Sequence, residues 1–191
     1  FCLSRGLGDV YKRQLLERNE QFALTYTPAA LGPPAAEVVV LTCLDHRVDP
    51  AHLLGLAIGD APVLRNAGGR VTPAVIADLA YLAFLADQLF GDQLEPGRSF
   101  EVAVIHHTQC GTSFLADAGF RHQAAEATGV AEADLAAAAV ADPQATVRAD
   151  VARLLASPLL SPKVSVSGHV YDIDTGLVTT VVDAEYPAVV R

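Results

Sequence analysis

A chain of 191 residues, 51% of them hydrophobic, is long enough to bury one full core, so a single globular domain is expected rather than a disordered tail. The net charge of −9 with only 13 Lys and Arg argues against nucleic-acid binding, because phosphate contacts need clustered cations. Trp and Met are absent, and no apolar run is expected to reach the length of a membrane span.

The first fourteen residues, FCLSRGLGDVYKRQ, match no structural template, and DVYKRQ can be back-translated into a transposon end used in sequencing libraries. Residues 1–14 are therefore read as a non-native, adapter-derived segment, and 15–191 as a single domain. With no initiator Met, the native start is not fixed by this sequence. The segment carries Arg5, Lys12 and Arg13 against Asp9, so the chain without it is two charges more negative. It also carries Cys2, which leaves Cys43 and Cys110 as the cysteines of interest.

In chain order, Leu15 to about Phe22 reads as a short helix, and Thr27 to Ala36, with Pro28, Pro33 and Pro34, as an irregular linker. Glu37 to Cys43 is a continuous β-branched run, hence a buried strand. Asp49-Pro50 is a helix cap followed by Pro at the first helical position. Ala61 to Arg65 is a second strand and Asn66 to Gly69 a turn. Thr72-Pro73 repeats the cap signal and opens a helix from Pro73 to about Phe90. After a loop from Gly91 to Ser99, Phe100 to His106 is a third strand. The chain from Thr112 to Ala156 reads as helical, with a start at Asp142-Pro143. Val164 to Asp172 and Leu177 to Asp183 are strands joined by a turn containing Asp174 and Gly176. Strands alternating with helices give an α/β fold with a mainly parallel central sheet flanked by helices. In such folds a site lies beyond the carboxyl ends of the strands.

Three clusters fall there: Cys43-Leu44-Asp45-His46-Arg47, Arg65-Asn66-Ala67-Gly68-Gly69 and His107-Thr108-Gln109-Cys110-Gly111. His107 and Cys110 are three apart, so one turn of chain brings both onto one ion, and Cys43 supplies a third ligand from another strand. Two thiolates and an imidazole suit zinc, and three protein ligands leave a fourth position open, as in catalytic sites. Thiolate ligands imply a reducing compartment, so a cytoplasmic location is expected. On an extended backbone Cys43, Asp45 and Arg47 point to one side, which lets Arg47 hold the Asp45 carboxylate by a forked ion pair. His46 is expected to point away from the metal, and His106 to pack on the far side of its strand. Arg65 and Asn66 are read as bracing the turn, Gly68 and Gly69 as serving backbone geometry, and His52, His122 and His169 as surface or packing residues. The acidic residues are read as a solvated surface.

These motifs resemble those of the β-carbonic anhydrases, from about Leu15 to Val182, and Ile105-His106-His107-Thr108 resembles a small bacterial branch of that family. Gly168-His169-Val170-Tyr171-Asp172 and Thr175-Gly176 resemble its final strands. The resemblance implies a β-carbonic anhydrase-like fold and a carbonic anhydrase that reversibly hydrates carbon dioxide to bicarbonate and a proton by attack of zinc-bound hydroxide. It implies one Zn2+ per subunit on Cys43, His107 and Cys110, an Asp45–Arg47 catalytic dyad and substrate contact at the Gly111 amide. It also implies a homodimer or higher homo-oligomer with no nucleic-acid or membrane partner. The alternatives are a carbonyl sulfide or carbon disulfide hydrolase on the same fold, a non-catalytic zinc-binding protein, and a redox protein using the two thiols. A nucleotide-binding role lacks any phosphate-loop motif.

Overall fold

The computed structural model describes residues 3–29, 31–95 and 97–188; Cys2 lies outside them. The chain divides into two units, Phe1–Leu31 and Gly32–Arg191. The first holds α1 (Leu3–Ala23), which starts within the segment read as non-native instead of at Leu15. No Pro interrupts that stretch, and Gly6 and Gly8 cost helix stability without breaking it. At its C-terminal end, the Phe22 ring packs on the Tyr26 ring at 5.3 Å.

The second unit is the α/β domain that the alternation of strands and helices predicts. Its elements are β1 (Val38–Cys43), α2 (Pro50–Leu53), β2 (Val63–Asn66), α3 (Pro73–Phe90), β3 (Glu101–His107), α4 (Ala118–Thr128), α5 (Glu132–Ala138), α6 (Pro143–Leu155), β4 (Ser165–Tyr171) and β5 (Val178–Glu185). Short 3-10 turns, Ala67–Gly69 and Gly111–Ala116, follow β2 and β3. The sheet order is β2-β1-β3-β4-β5; the first four strands are parallel and β5 is antiparallel to β4.

Local chemistry fixes the helix starts. Asp49, Thr72 and Asp142 each cap the helix behind them, and in each case Pro follows as the first helical residue. Asp142 accepts from both Gln144 N and Ala145 N, at 2.9 and 3.1 Å. Packing fixes the rest. Val39, Leu41, Val102, Val104, Val166 and Val170 of the sheet are buried against Val75, Leu79 and Ala83 of α3 and Val147, Val151 and Leu154 of α6. Paired residues such as Val39↔Val102 and Leu41↔Val104 share one sheet face, and Val40 and Ile105 are buried on the other, which is why these parallel strands read as continuous apolar runs.

Contrary to the sequence expectation, α3 is long and apolar enough to cross a membrane by length and composition, with a mean hydropathy of 1.4. Part of that apolar surface is buried on the sheet through Val75, Leu79 and Ala83, while Tyr81, Phe84 and Leu89 stay exposed. Asp87 near its end pairs with Lys163 at 2.9 Å.

The topology also explains where the site is. From β1 the chain crosses to β2 on one side, then returns to β3 on the other. The carboxyl ends of β1 and β3 therefore diverge at the point where strand order reverses, and a crevice opens there. Cys43 closes β1 and His107 closes β3.

Candidate metal centre

Cys43, His107 and Cys110 converge at that crevice, all buried, with their ligand atoms within 4.8 Å of one another. The two sulfurs stand 3.9 Å apart. Two thiolates on one tetrahedral zinc at about 2.3 Å would stand about 3.8 Å apart, so the sulfur spacing already suits the ion. His107 is 1% exposed. Its Nδ1 lies 2.9 Å from the Thr108 carbonyl, which can only accept, so Nδ1 carries the proton. Its Nε2 is buried and has no hydrogen-bond partner among the described residues. A bare imidazole lone pair beside two thiols is a metal-ligand arrangement, and its cost in a buried site disappears once a cation binds. The residues present fit zinc.

Hydrogen bonds from the chain prepare both sulfurs to carry negative charge. Asp45 N donates to Cys43 Sγ at 3.4 Å, and the Thr112 hydroxyl lies 3.1 Å from Cys110 Sγ. The hydrogen bond between the thiols, with burial, pushes Cys43 above the ordinary thiol value, and the same bond, with Thr112, draws Cys110 below it. Val140 packs against both cysteines in a small cluster of its own.

Asp45 and Arg47 form the forked pair expected of them, with Arg47 Nε 3.0 Å from Asp45 Oδ1 and Nη2 2.7 Å from Oδ2. The backbone reason differs from the sequence reading. β1 ends at Cys43, and Asp45 to Arg47 lie on a turn in which Arg47 N donates to Asp45 Oδ1 at 2.9 Å and Val48 N to the Asp45 carbonyl at 2.9 Å. An Asx turn, not strand alternation, brings the two side chains together. Arg47 holds the Asp45 carboxyl well below the usual carboxylate range. Oδ1 accepts two N–H groups and Oδ2 one, so Oδ2 keeps the freer lone pair. Gly111 opens a 3-10 turn, so its amide has no carbonyl of that turn ahead of it, and a Cβ built there would meet no atom within 4 Å. It therefore borders open space.

Arg65 braces the turn, as expected: it donates to the carbonyls of Cys43 at 3.0 Å and of Asp45 and Val48 at 2.8 Å. Asn66 closes the next turn through Arg70 N at 2.7 Å and the Arg70 carbonyl at 2.8 Å. Gly69 has φ +66°, and a Cβ there would sit 2.9 Å from Cys43 N, so close approach to the ligand strand requires glycine. His46 points outward, 91% exposed and 3.6 Å from Asp45. His52 lies near Asp49, His122 pairs with Glu132, and His169 with Ser167 and Thr180.

The sequence reading missed the support beneath the site. It read the acidic residues as a solvated surface, yet Asp150 is fully buried and pairs with Arg70 at 2.6 Å. The same carboxylate reaches Val71 N at 3.2 Å and His106 at 3.4 Å. One signal was available: Asp150 lies among Val147, Val151 and Leu154 on the core face of α6, where a charge demands a partner. Nothing in the sequence pointed to Val140 or Thr112.

A profile of the carbonic anhydrase family matches residues 38–178. β-Carbonic anhydrase 1 of Mycobacterium tuberculosis is 29% identical over 161 residues, covering 84% of this chain and 91% of that one. Carbon disulfide hydrolase of Acidianus sp. is 36% identical over 96 residues, 50% of this chain and 41% of that one. The crystal structure of carbonic anhydrase from Streptococcus mutans superposes with a TM-score of 0.73 at 36% identity, covering 90% of this chain and 97% of that one. With the cysteine–histidine cluster and this fold, the chain belongs to the carbonic anhydrase family, in its β-class architecture.

Proposed function

We propose that this protein is a carbonic anhydrase that hydrates carbon dioxide reversibly, with one Zn2+ per subunit on Cys43, His107 and Cys110. The observation that carries the reading is the unpartnered, buried His107 Nε2 beside two sulfurs 3.9 Å apart. Held by these three residues, zinc would supply the acidity that turns water into a nucleophile for carbon dioxide near neutral pH. Asp45, ionised by its fork with Arg47, serves as the acceptor that orients the attacking oxygen through Oδ2. Arg47 fixes that carboxylate, and the Gly111 N–H receives an oxygen of the substrate or of bicarbonate. Likeness to the Mycobacterium and Streptococcus proteins supports a place in a small bacterial branch. Exposed Tyr81, Phe84 and Leu89 on α3 support a homodimer or larger assembly, and free buried thiols support a reducing, cytoplasmic setting. We assign no nucleic-acid or membrane partner, and treat residues 1–14 as a non-native extension of a single domain over 15–191.

The match to carbon disulfide hydrolase supports a second reading, since a linear triatomic substrate suits the same attack. The test is one zinc-loaded preparation assayed for carbon dioxide hydration and for sulfide release from carbonyl sulfide and carbon disulfide. Hydration is expected to dominate; sulfide release without hydration would transfer the assignment.

A further inference from the structure

Gln109 is one of two described non-glycine residues with positive φ, at 55°, and it lies between His107 and Cys110. That left-handed conformation is unfavourable for a residue with a Cβ, so something must hold it. Its effect is to place the Gln109 carbonyl 2.9 Å from Arg47 Nη2, where it accepts a hydrogen bond. This nitrogen also binds Asp45 Oδ2. The Gln109 side chain donates to both oxygens of Asp174, at 2.9 and 2.8 Å.

Asp174 sits in the turn between β4 and β5, which is itself well fixed. Asp172 Oδ1 accepts from Asp174 N at 2.9 Å and Thr175 N at 2.8 Å, and Gly176 N donates to the Asp172 carbonyl at 2.8 Å. Two further bonds hold the turn to the ligand loop: Ile173 N donates to Thr108 Oγ1 at 2.9 Å and Thr108 N to the Tyr171 carbonyl at 3.0 Å. A continuous chain of contacts thus runs from Asp174 through Gln109 to Arg47 and Asp45.

We infer that Asp174 is a positioning residue for the Asp45–Arg47 dyad, acting by anchoring Gln109 so that its backbone carbonyl stays on Arg47. The catalytic consequence rests on the reading of the dyad given above; the anchoring itself does not. Without the anchor, Gln109 relaxes toward ordinary backbone geometry, Arg47 loses a fixed acceptor, and the fork with Asp45 swings as a unit.

The test is a double-substitution cycle on the zinc-loaded full chain. Asp174→Ala is made alone and in a Gln109→Gly background, where glycine adopts positive φ without an anchor. Asp174→Asn, which keeps one acceptor oxygen, is the conservative control. Two readouts are taken: kcat and KM for carbon dioxide hydration, and solvent exchange of the Arg47 Nε–H by NMR, assigned through its loss in Arg47→Lys. Asp174→Ala is expected to lower kcat about tenfold with KM and zinc content unchanged, and to speed Nε–H exchange about tenfold. Asp174→Asn recovers most of both. In the Gln109→Gly background Asp174→Ala adds no further loss in either readout. Equal losses in both backgrounds, or no change in the wild-type background, would overturn the inference. If wild-type protein does not hydrate carbon dioxide, the reading of the reaction fails, and the exchange measurement alone decides the anchoring.

Discussion

His106 and His107 are neighbours on β3, both buried, and their surroundings differ completely. His106 faces a closed polar cluster: Thr146 lies 2.9 Å from its Nδ1, and the Gly69 carbonyl and Asp150 lie 3.3 and 3.4 Å from its Nε2. Around it Arg70 donates to Asp150 and to the carbonyls of Ala137 and Ala139, at 2.7 and 2.8 Å. His107 faces two thiols and has one nitrogen without a partner among the described residues. A buried polar cluster satisfied by its own chain holds architecture, whereas one left short of a partner is shaped for something the chain does not supply.

The largest break is at the unsatisfied cluster. Cys110→Ser is expected to lose zinc and turnover together, read by metal analysis and assay of one preparation, with little change in fold. The next is at the satisfied cluster. Asp150→Asn leaves Arg70 buried without its counter-charge and is expected to cost about 3–5 kcal/mol in denaturant unfolding. A single change with no effect on unfolding would remove the architectural role.

The two clusters also differ in how legible they were. The convergence of Cys43, His107 and Cys110 was readable because thiolate and imidazole chemistry confines candidate zinc ligands to a few residue types, and these three end or follow strands. The helix starts at Pro50, Pro73 and Pro143 were readable because capping is local. The Arg70–Asp150 pair joins residues 80 positions apart, so only the fold brings it together. The Asp45–Arg47 pairing was anticipated with the wrong backbone, because hydrogen bonds from Arg47 N and Val48 N end the extended run at Cys43.

Asp45→Asn separates metal holding from catalysis. It should retain zinc and lose about 100-fold or more in kcat. Full turnover in that variant would remove the carboxylate from the mechanism.

The smallest effect expected is a slope. His106, Arg70 and Val71 N–H hold the Asp150 carboxyl below its usual range, although burial alone would raise it. The folded state therefore favours the ionised form. This contribution is complete above the unfolded Asp value, about 3.9, and disappears as pH falls through the lower folded value. Urea midpoints measured from pH 6 downward should fall more steeply below about pH 4 in wild type than in Asp150→Asn.

The most direct test of the proposed reaction is stopped-flow carbon dioxide hydration by zinc-loaded protein lacking residues 1–14, from neutral to alkaline pH. Two thiolates leave more negative charge at the metal than three imidazoles would, and Asp45 is ionised throughout, so turnover should be fast and rise with pH through the metal site alone. Absence of turnover across the range, with zinc bound, would contradict it.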